Sequence, residues 1–206
     1  PLVGYVPWEA RTNLCLQSNA FTTTWLTGGT PTATQNVIGP DGATSAWTVT
    51  DDSAGATEFY YQSITLTAAA YTFSVFVKKT TGAQASYPVL WAVTGTVSAH
   101  CTIDTSNGVA TIWTAYTGDT MLAGQSARIT SHNANFWRVE MTYTGTAAAY
   151  LHVLVPAGTT NPTQSTGLLD VAAQGSAVFY GAQVELGSFA TPYIPTTTVA
   201  VARNAD

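Results

Sequence analysis

Apolar residues along this chain recur at every second position in short runs. Tyr71, Phe73, Val75 and Val77 form one such run; Tyr87, Val89, Trp91 and Val93 form another; Trp137, Val139, Met141 and Tyr143 form a third. Side chains of an extended backbone alternate between two faces, so each run predicts a strand with one apolar face. Shorter patterns predict further strands at Trp47 with Val49, at Phe59, Tyr61 and Ile64, at Val109, Thr111 and Trp113, at 150–155 and at 177–186. Residues 21–45 hold Thr, Gly and Pro with few large hydrophobes, and Gly39-Pro40-Asp41-Gly42 is a concentrated turn signal. That segment reads as a long loop with room for one strand. Pro156, Gly158, Pro162 and Gly167 mark a second turn-rich segment between the last two strands. No window carries a helical period and no segment repeats, which disfavours a propeller or solenoid. About ten short strands separated by turns predict an all-β chain folded as a two-sheet antiparallel β-sandwich of the jelly-roll kind.

Composition sharpens this picture. Charged residues are only 8% of the 206 residues, against about 25% in ordinary soluble domains, while the hydrophobic share of 46% is normal. The missing polar share is filled by Ser and by 37 Thr, a β-branched residue that favours strands. A net charge of -5 offers no footprint for phosphate backbones or anionic lipid, so neither nucleic acid nor membrane insertion is expected. No stretch approaches the roughly 18 apolar residues of a helical span, and no charged-then-apolar leader opens the chain. The start at Pro1 without Met and the abrupt end suggest a segment of a longer polypeptide. Its expected layout is an extended arm over 1–11 carrying Tyr5 and Trp8, a sandwich domain over 12–195, and a linker over 196–206. Cys15 and Cys101 lie in no CxxC pattern and read as buried free thiols rather than a bridge.

Catalytic chemistry has little to work with. His100, His132 and His152 show no metal-ligand spacing, and no GxSxG, GxxxxGK[ST] or GxGxxG pattern occurs. A glycosidase needs two carboxyl groups facing each other across a sugar bond. Glu58 and Glu140 are the best candidates, but Arg138 and Glu140 share a strand face at i, i+2, which more often decorates a sheet than catalyses. The chain is therefore expected to be no enzyme and to need no cofactor. Structural calcium is conceivable at the oxygen-rich stretches Asp51-Asp52-Ser53 and Asp104-Thr105-Ser106-Asn107-Gly108, yet the latter is also what an ordinary turn looks like, and that reading is favoured.

The aromatic supply, 6 Trp, 10 Tyr and 7 Phe, points elsewhere. Flat C–H faces of sugar rings pack on aromatic rings while neutral polar groups take the hydroxyls, so a weakly charged, Thr-rich, aromatic-rich sandwich suits neutral glycans. Phe73, Trp47 and Trp137 sit in clean alternations and are assigned to the core, and Tyr193 between prolines is expected to be buried as an anchor. On the 150–155 strand, Leu151, Val153 and Val155 are the natural core set, which turns Tyr150 and His152 outward. By the same logic Arg138 and Glu140 turn away from Trp137. The candidate carbohydrate-binding face therefore combines Trp91, Trp113, Tyr150 and His152 with Arg138 and Glu140.

Several blocks also resemble a known family. They are Arg11-Thr12-Asn13-Leu14 with Gln17-Ser18-Asn19, Gly39-Pro40-Asp41-Gly42 with Ala46-Trp47, 71–78, Phe136-Trp137-Arg138-Val139, the 180–187 block containing Gly181-Ala182-Gln183, and 190–196 containing Tyr193-Ile194-Pro195-Thr196, with Ala202-Arg203-Asn204-Ala205-Asp206 closing the chain. Over about 11–206 the chain resembles a jelly-roll domain of bacteriophage tail-fibre and other virion proteins, similar in build to carbohydrate-binding modules. The resemblance implies a virion setting, other virion protein domains as partners, and host-surface glycan recognition without catalysis. It leaves monomer and homotrimer open, and a passive structural sandwich is the alternative role. Where related carbohydrate modules often carry a calcium-binding Asp on the last strand, this chain has Gly181-Ala182-Gln183.

Overall fold

The computed structural model describes residues 9–205. The arm residues Tyr5 and Trp8 lie outside them. Fifteen strands follow in chain order: β1 (Arg11–Asn13), β2 (Leu26–Gly28), β3 (Thr32–Ile38), β4 (Thr44–Asp51), β5 (Phe59–Thr65), β6 (Ala69–Lys78), β7 (Tyr87–Thr94), β8 (Val97–Asp104), β9 (Val109–Ile112), β10 (Thr120–Met121), β11 (Ser126–Ser131), β12 (Phe136–Gly145), β13 (Ala149–Thr159), β14 (Gly175–Leu186) and β15 (Val201–Arg203). No helix occurs among the described residues. One sheet runs β11-β12-β6-β14-β4-β3; the other runs β10-β8-β7-β13-β5-β2, with β9 beside β8. All pairs are antiparallel except β10 on β8. Because β4, β6, β12 and β14 alternate along the chain with strands of the opposite sheet, each sheet interior is built from residues far apart in sequence. This is the jelly-roll sandwich that the alternation predicts.

The first sheet turns Val75 and Val77, with Phe73, Val139, Met141, Tyr143, Phe179 and Val184, toward the partner sheet, where they meet Ile64, Leu90, Cys101 and Leu154. Both cysteines are buried free thiols, pushed up to about 12 by burial. Two tyrosines enter this core through the same device. The Tyr71 hydroxyl accepts a hydrogen bond from the Thr67 amide at 3.1 Å, and the Tyr150 hydroxyl accepts one from the Thr146 amide at 3.0 Å. A phenol can be buried only if its oxygen finds a partner, and a threonine four residues upstream supplies one each time.

One expectation needs correction, and one strand is new. Residues 21–45 contain β2 and β3 rather than one strand. Strand β8 had no clear sequence signal, because its core side is the small set Ala99, Cys101 and Ile103. Trp137 packs against the inter-sheet core, its Nε1 donating to the Thr105 carbonyl at 2.8 Å, and Tyr193 packs beside Phe76 and Tyr180, so neither ring is solvent-exposed. Arg11–Asn13, which straddles the expected boundary between arm and sandwich domain, pairs antiparallel with Val201–Arg203 of the expected linker as a two-stranded sheet.

Candidate functional site

The sequence-derived face splits between the two sheets. Tyr150 and His152 are fully buried at 0% exposure and point between the sheets, with the Tyr143 hydroxyl bonded to His152 Nε2. Leu151, Val153 and Val155 occupy the opposite face of the same strand. They are not unpacked there, because Val89, Trp113 and Leu169 cover them in a second apolar cluster. Trp113 is buried within that cluster, its Nε1 donating to Thr102 Oγ1 at 2.8 Å, and Trp91 is half-buried beside it. Both faces of β13 are thus covered by apolar partners, and alternation by itself does not tell which side is the core. Alanine at Tyr150 or His152 would consequently leave an inter-sheet cavity instead of selectively removing a surface contact.

Arg138 and Glu140 do turn outward, as expected, opposite Phe76 and Ser74 in the β12–β6 register. They do not reach open solvent. A C-terminal stretch passes over this sheet, held by side chains of β12 and β14. The Ala190 amide donates to Glu140 Oε2 at 3.0 Å, the Thr191 amide donates to Glu185 Oε1, and the Ile194 amide donates to Gln183 Oε1 at 2.7 Å. Gln183 and Glu185 belong to the 180–187 block and their partners to the 190–196 block. The two blocks meet in space, side chains of the first hydrogen-bonding the backbone of the second.

The N-terminal blocks complete the same clasp. Asn13 is fully buried, donating through Nδ2 to Ala182 O and Ile194 O at 3.2 and 2.8 Å while accepting through Oδ1 from the Cys15 and Val184 amides at 3.0 and 3.1 Å. Ser18 Oγ lies 2.6 Å from the Tyr193 hydroxyl and accepts from the Thr196 amide at 2.9 Å. Gly181 adopts φ 62° where the β14–β6 register shifts, and a Cβ added there would sit 3.0 Å from the Tyr193 ring. Gly181→Ala is expected to lower the unfolding free energy by about 1–2 kcal/mol through left-handed backbone strain alone. An unchanged urea midpoint would refute this placement.

Between the clasp and the sheet lies a cavity of about 530 Å³, within the range of small-ligand sites. It is lined by Phe76, Tyr180, Arg138 and Glu140 from the sheet, by Tyr193 from the clasp and by His132 from the β11–β12 hairpin. The rings meet mostly edge to face: Phe76 and His132 centroids are 4.7 Å apart, and Tyr180 and Tyr193 centroids are 5.5 Å apart. Arg138 is only 8% exposed. Its Cζ lies 4.4 Å from the Phe76 ring centroid and its Nη2 donates to Ser74 Oγ at 2.6 Å. Its buried Nη1 has no acceptor. Burial pulls the guanidinium down to about 10, with Glu140 and Glu185 opposing, so it stays charged at neutral pH.

At the rim, burial pushes the Asp41 carboxyl up, but hydrogen bonds from Ser45 and the Ala43 amide outweigh it and leave the group below its usual value. The Tyr180 hydroxyl donates to Asp41 Oδ2 at 3.4 Å. His132 is pulled down by burial and by the Arg138 charge, and is neutral at pH 7. The arrangement offers apolar ring edges, one unsatisfied cationic donor, and carboxylate and phenol oxygens within a small concavity. Those groups fit a polyhydroxylated ring. Of the sequence-derived face, Arg138 and Glu140 line this cavity, and their alternation with Trp137 and Val139 is what turns them toward it. Phe76, Tyr180 and Tyr193 lie in the resemblance blocks and Asp41 in the Gly39–Gly42 turn, whereas no sequence signal pointed to His132.

Glu58 immediately precedes β5 in one sheet and Glu140 lies in the other sheet; the Glu58 carboxylate accepts from Thr30 Oγ1 and from the Thr30 and Asp52 amides. Asp104 accepts from the Ser106 and Asn107 amides within its turn, and Gly108 takes φ 67°. Among the described residues no three His, Cys, Asp or Glu side chains gather as a metal set.

No protein-family model and no curated protein matches this chain. Among solved structures it is similar to the CBM22-1 xylan-binding domain of Paenibacillus barcinonensis Xyn10C, at 10% identity and a TM-score of 0.45, over 87% of this chain and 94% of that one.

Proposed function

We propose that this protein is a non-catalytic glycan-binding module whose ligand enters the cavity between the outer face of the β12–β6–β14 sheet and the C-terminal clasp. The observation that carries this reading is Arg138, a nearly buried cation lining an aromatic cavity, whose Nη1 is closed to solvent and has no acceptor in the protein. A buried N–H left unpaired is costly, and a sugar hydroxyl that the guanidinium turns to meet would relieve that cost. Phe76, Tyr180 and Tyr193 would supply apolar contact to the ring's C–H groups. The signature blocks that resemble virion jelly-roll domains support placing the module on a phage particle that meets host-surface glycans.

A glycan array followed by calorimetric titration of the best-retained neutral oligosaccharide tests this directly. Arg138→Met keeps an unbranched apolar stem but removes the donors, and is expected to weaken binding about tenfold or more, as loss of a hydrogen bond to a charged group does. His132→Ala, at the exposed rim, is expected to weaken binding severalfold without changing the melting temperature. Wild-type affinity in both variants would exclude this cavity. Absence of retained glycans for the wild-type chain would return the domain to the passive structural role.

A further inference from the structure

Where β6 ends, the chain leaves its sheet to cross toward β7, and the first residues of β14 continue beyond the end of their pairing with β6. The gap is a second cavity, also about 530 Å³, lined among others by Lys78, Lys79, Gln84, Asn135 and Val178. Its lining lies close along the chain to that of the first on three elements. On β6 it begins at Val77 and Lys78, next to Phe76; on β14 at Val178, two residues before Tyr180; and in the β11–β12 hairpin at Asn135, three residues after His132. Two residues along a strand span about 6.6 Å, so the cavities are neighbours on the scale of one sugar ring.

Their charges differ. The first cavity contains Asp41 and Glu140 beside Arg138, whereas no carboxylate lines the second. The chain has only six Lys and Arg against eleven Asp and Glu, and two of those six cations stand here side by side. Elsewhere Arg11 pairs with Glu9 at 2.6 Å and Arg128 approaches Glu140 at 3.7 Å. Lys79 is held instead by neutral groups: its Nζ donates to Ser131 Oγ at 2.7 Å and sits 4.1 Å from the Trp137 ring centroid. Lys78 is exposed, and neither lysine lies within ion-pair distance of a carboxylate among the described residues. An acidic protein that concentrates uncompensated positive charge beside a saccharide-sized cavity attracts an anion to that point.

Resting on the reading above, we infer that the ligand is an acidic oligosaccharide: a sugar ring occupies the first cavity, and the carboxylate or sulfate of an adjoining residue occupies the second, against Lys78 and Lys79. Recognition in the first cavity is then by ring contact and hydrogen bonding, and discrimination in the second is by charge.

The test titrates the full chain with three oligosaccharides of equal length and linkage: neutral, uronate-bearing and sulfated. At low salt at least one acidic ligand is expected to bind roughly fivefold tighter than the neutral one, with the preference collapsing at high salt, where exposed charges are screened. Lys78→Gln is expected to remove most of that preference and leave neutral-ligand affinity and melting temperature unchanged. Lys79→Gln provides a second variant, with the melting temperature checking for its lost contact with Trp137. Uronate-only binding assigns the site to a carboxylate, sulfate-only binding to a sulfate ester, and binding of both to their shared anionic chemistry. Equal affinity for all three ligands, or a preference that survives both lysine substitutions, overturns the acidic subsite while leaving glycan binding intact. Failure of all three to bind overturns both.

Discussion

Asn13→Asp is expected to unfold the protein or to leave it folded with only a small residual stability. The Asn13 amide group makes four hydrogen bonds in a fully buried position, two as donor to Ala182 O and Ile194 O and two as acceptor from the Cys15 and Val184 amides. Aspartate keeps the acceptor and replaces the donor with an oxygen that faces two carbonyls. Each buried group left unpaired costs about 1–3 kcal/mol, and a buried charge adds to that, so the loss is on the order of 4 kcal/mol or more. Domains of this size are held by only about 5–15 kcal/mol. Asn13→Ala keeps no clash and should lose less. Urea unfolding reads both, and an Asp variant within about 1 kcal/mol of wild type would show that the clasp does not hold the N-terminal strand to β14. The consequence for function follows from place: Ile194 adjoins Tyr193, so loosening Asn13 also releases a wall of the cavity.

Acidification between pH 7 and 5 is expected to destabilise the fold steeply. Burial pulls His100 and His152 from 6.5 to about 3, so both are neutral in the folded chain across that interval. The unfolded chain, with ordinary histidines, takes up about 1.5 protons at these two positions over the same interval. A base whose folded value is depressed contributes fully above its unfolded value, and that contribution is lost as pH falls toward the folded value. Two such groups give a limiting slope of about 2.7 kcal/mol per pH unit below pH 6.5, levelling off near pH 3. Carboxylates held below their usual values, such as Asp41, Glu58 and Asp104, act only at lower pH, so the upper window belongs to the histidines. Unfolding free energies at pH 7 and 5 should differ by several kcal/mol in wild type and by much less in a His100→Gln, His152→Gln double variant. Equal pH dependence in the two proteins would contradict a neutral, buried pair.

These two histidines also show where a one-dimensional pattern stops being informative. His152 lies in a strand whose two faces are Tyr150, His152 and Leu154 on one side and Leu151, Val153 and Val155 on the other. Both sets are apolar enough to be core, and by hydropathy alone the aliphatic set is the better choice. The fold reverses that choice, because the Tyr150 hydroxyl reaches Thr146 and the His152 ring reaches Tyr143, while Trp113 and Leu169 shield the aliphatic side. The Thr67-x-x-x-Tyr71 and Thr146-x-x-x-Tyr150 spacings carried the missing signal, since each places a backbone donor where a buried phenol needs one.

Strands β6 and β12, in contrast, were legible residue by residue. Each has a uniformly apolar face in Phe73, Val75 and Val77 or Val139 and Met141, set against polar neighbours such as Ser74 and Glu140, so only one packing direction satisfies both. What the sequence by itself determined was therefore the all-β class, the period-two strands with one-sided patterning, the outward turn of Arg138 and Glu140, and the sparse charge that sets this surface apart. Only the tertiary structure decided that Asp41, Phe76, His132, Tyr180 and Tyr193 meet around Arg138. Their chain positions reflect no local periodicity; strands from distant parts of the chain pair edge to edge, and a C-terminal stretch is pinned over them by hydrogen bonds from Asn13, Gln183 and Glu185. Local alternation specifies which way a side chain faces, but long-range pairing specifies which side chains face one another.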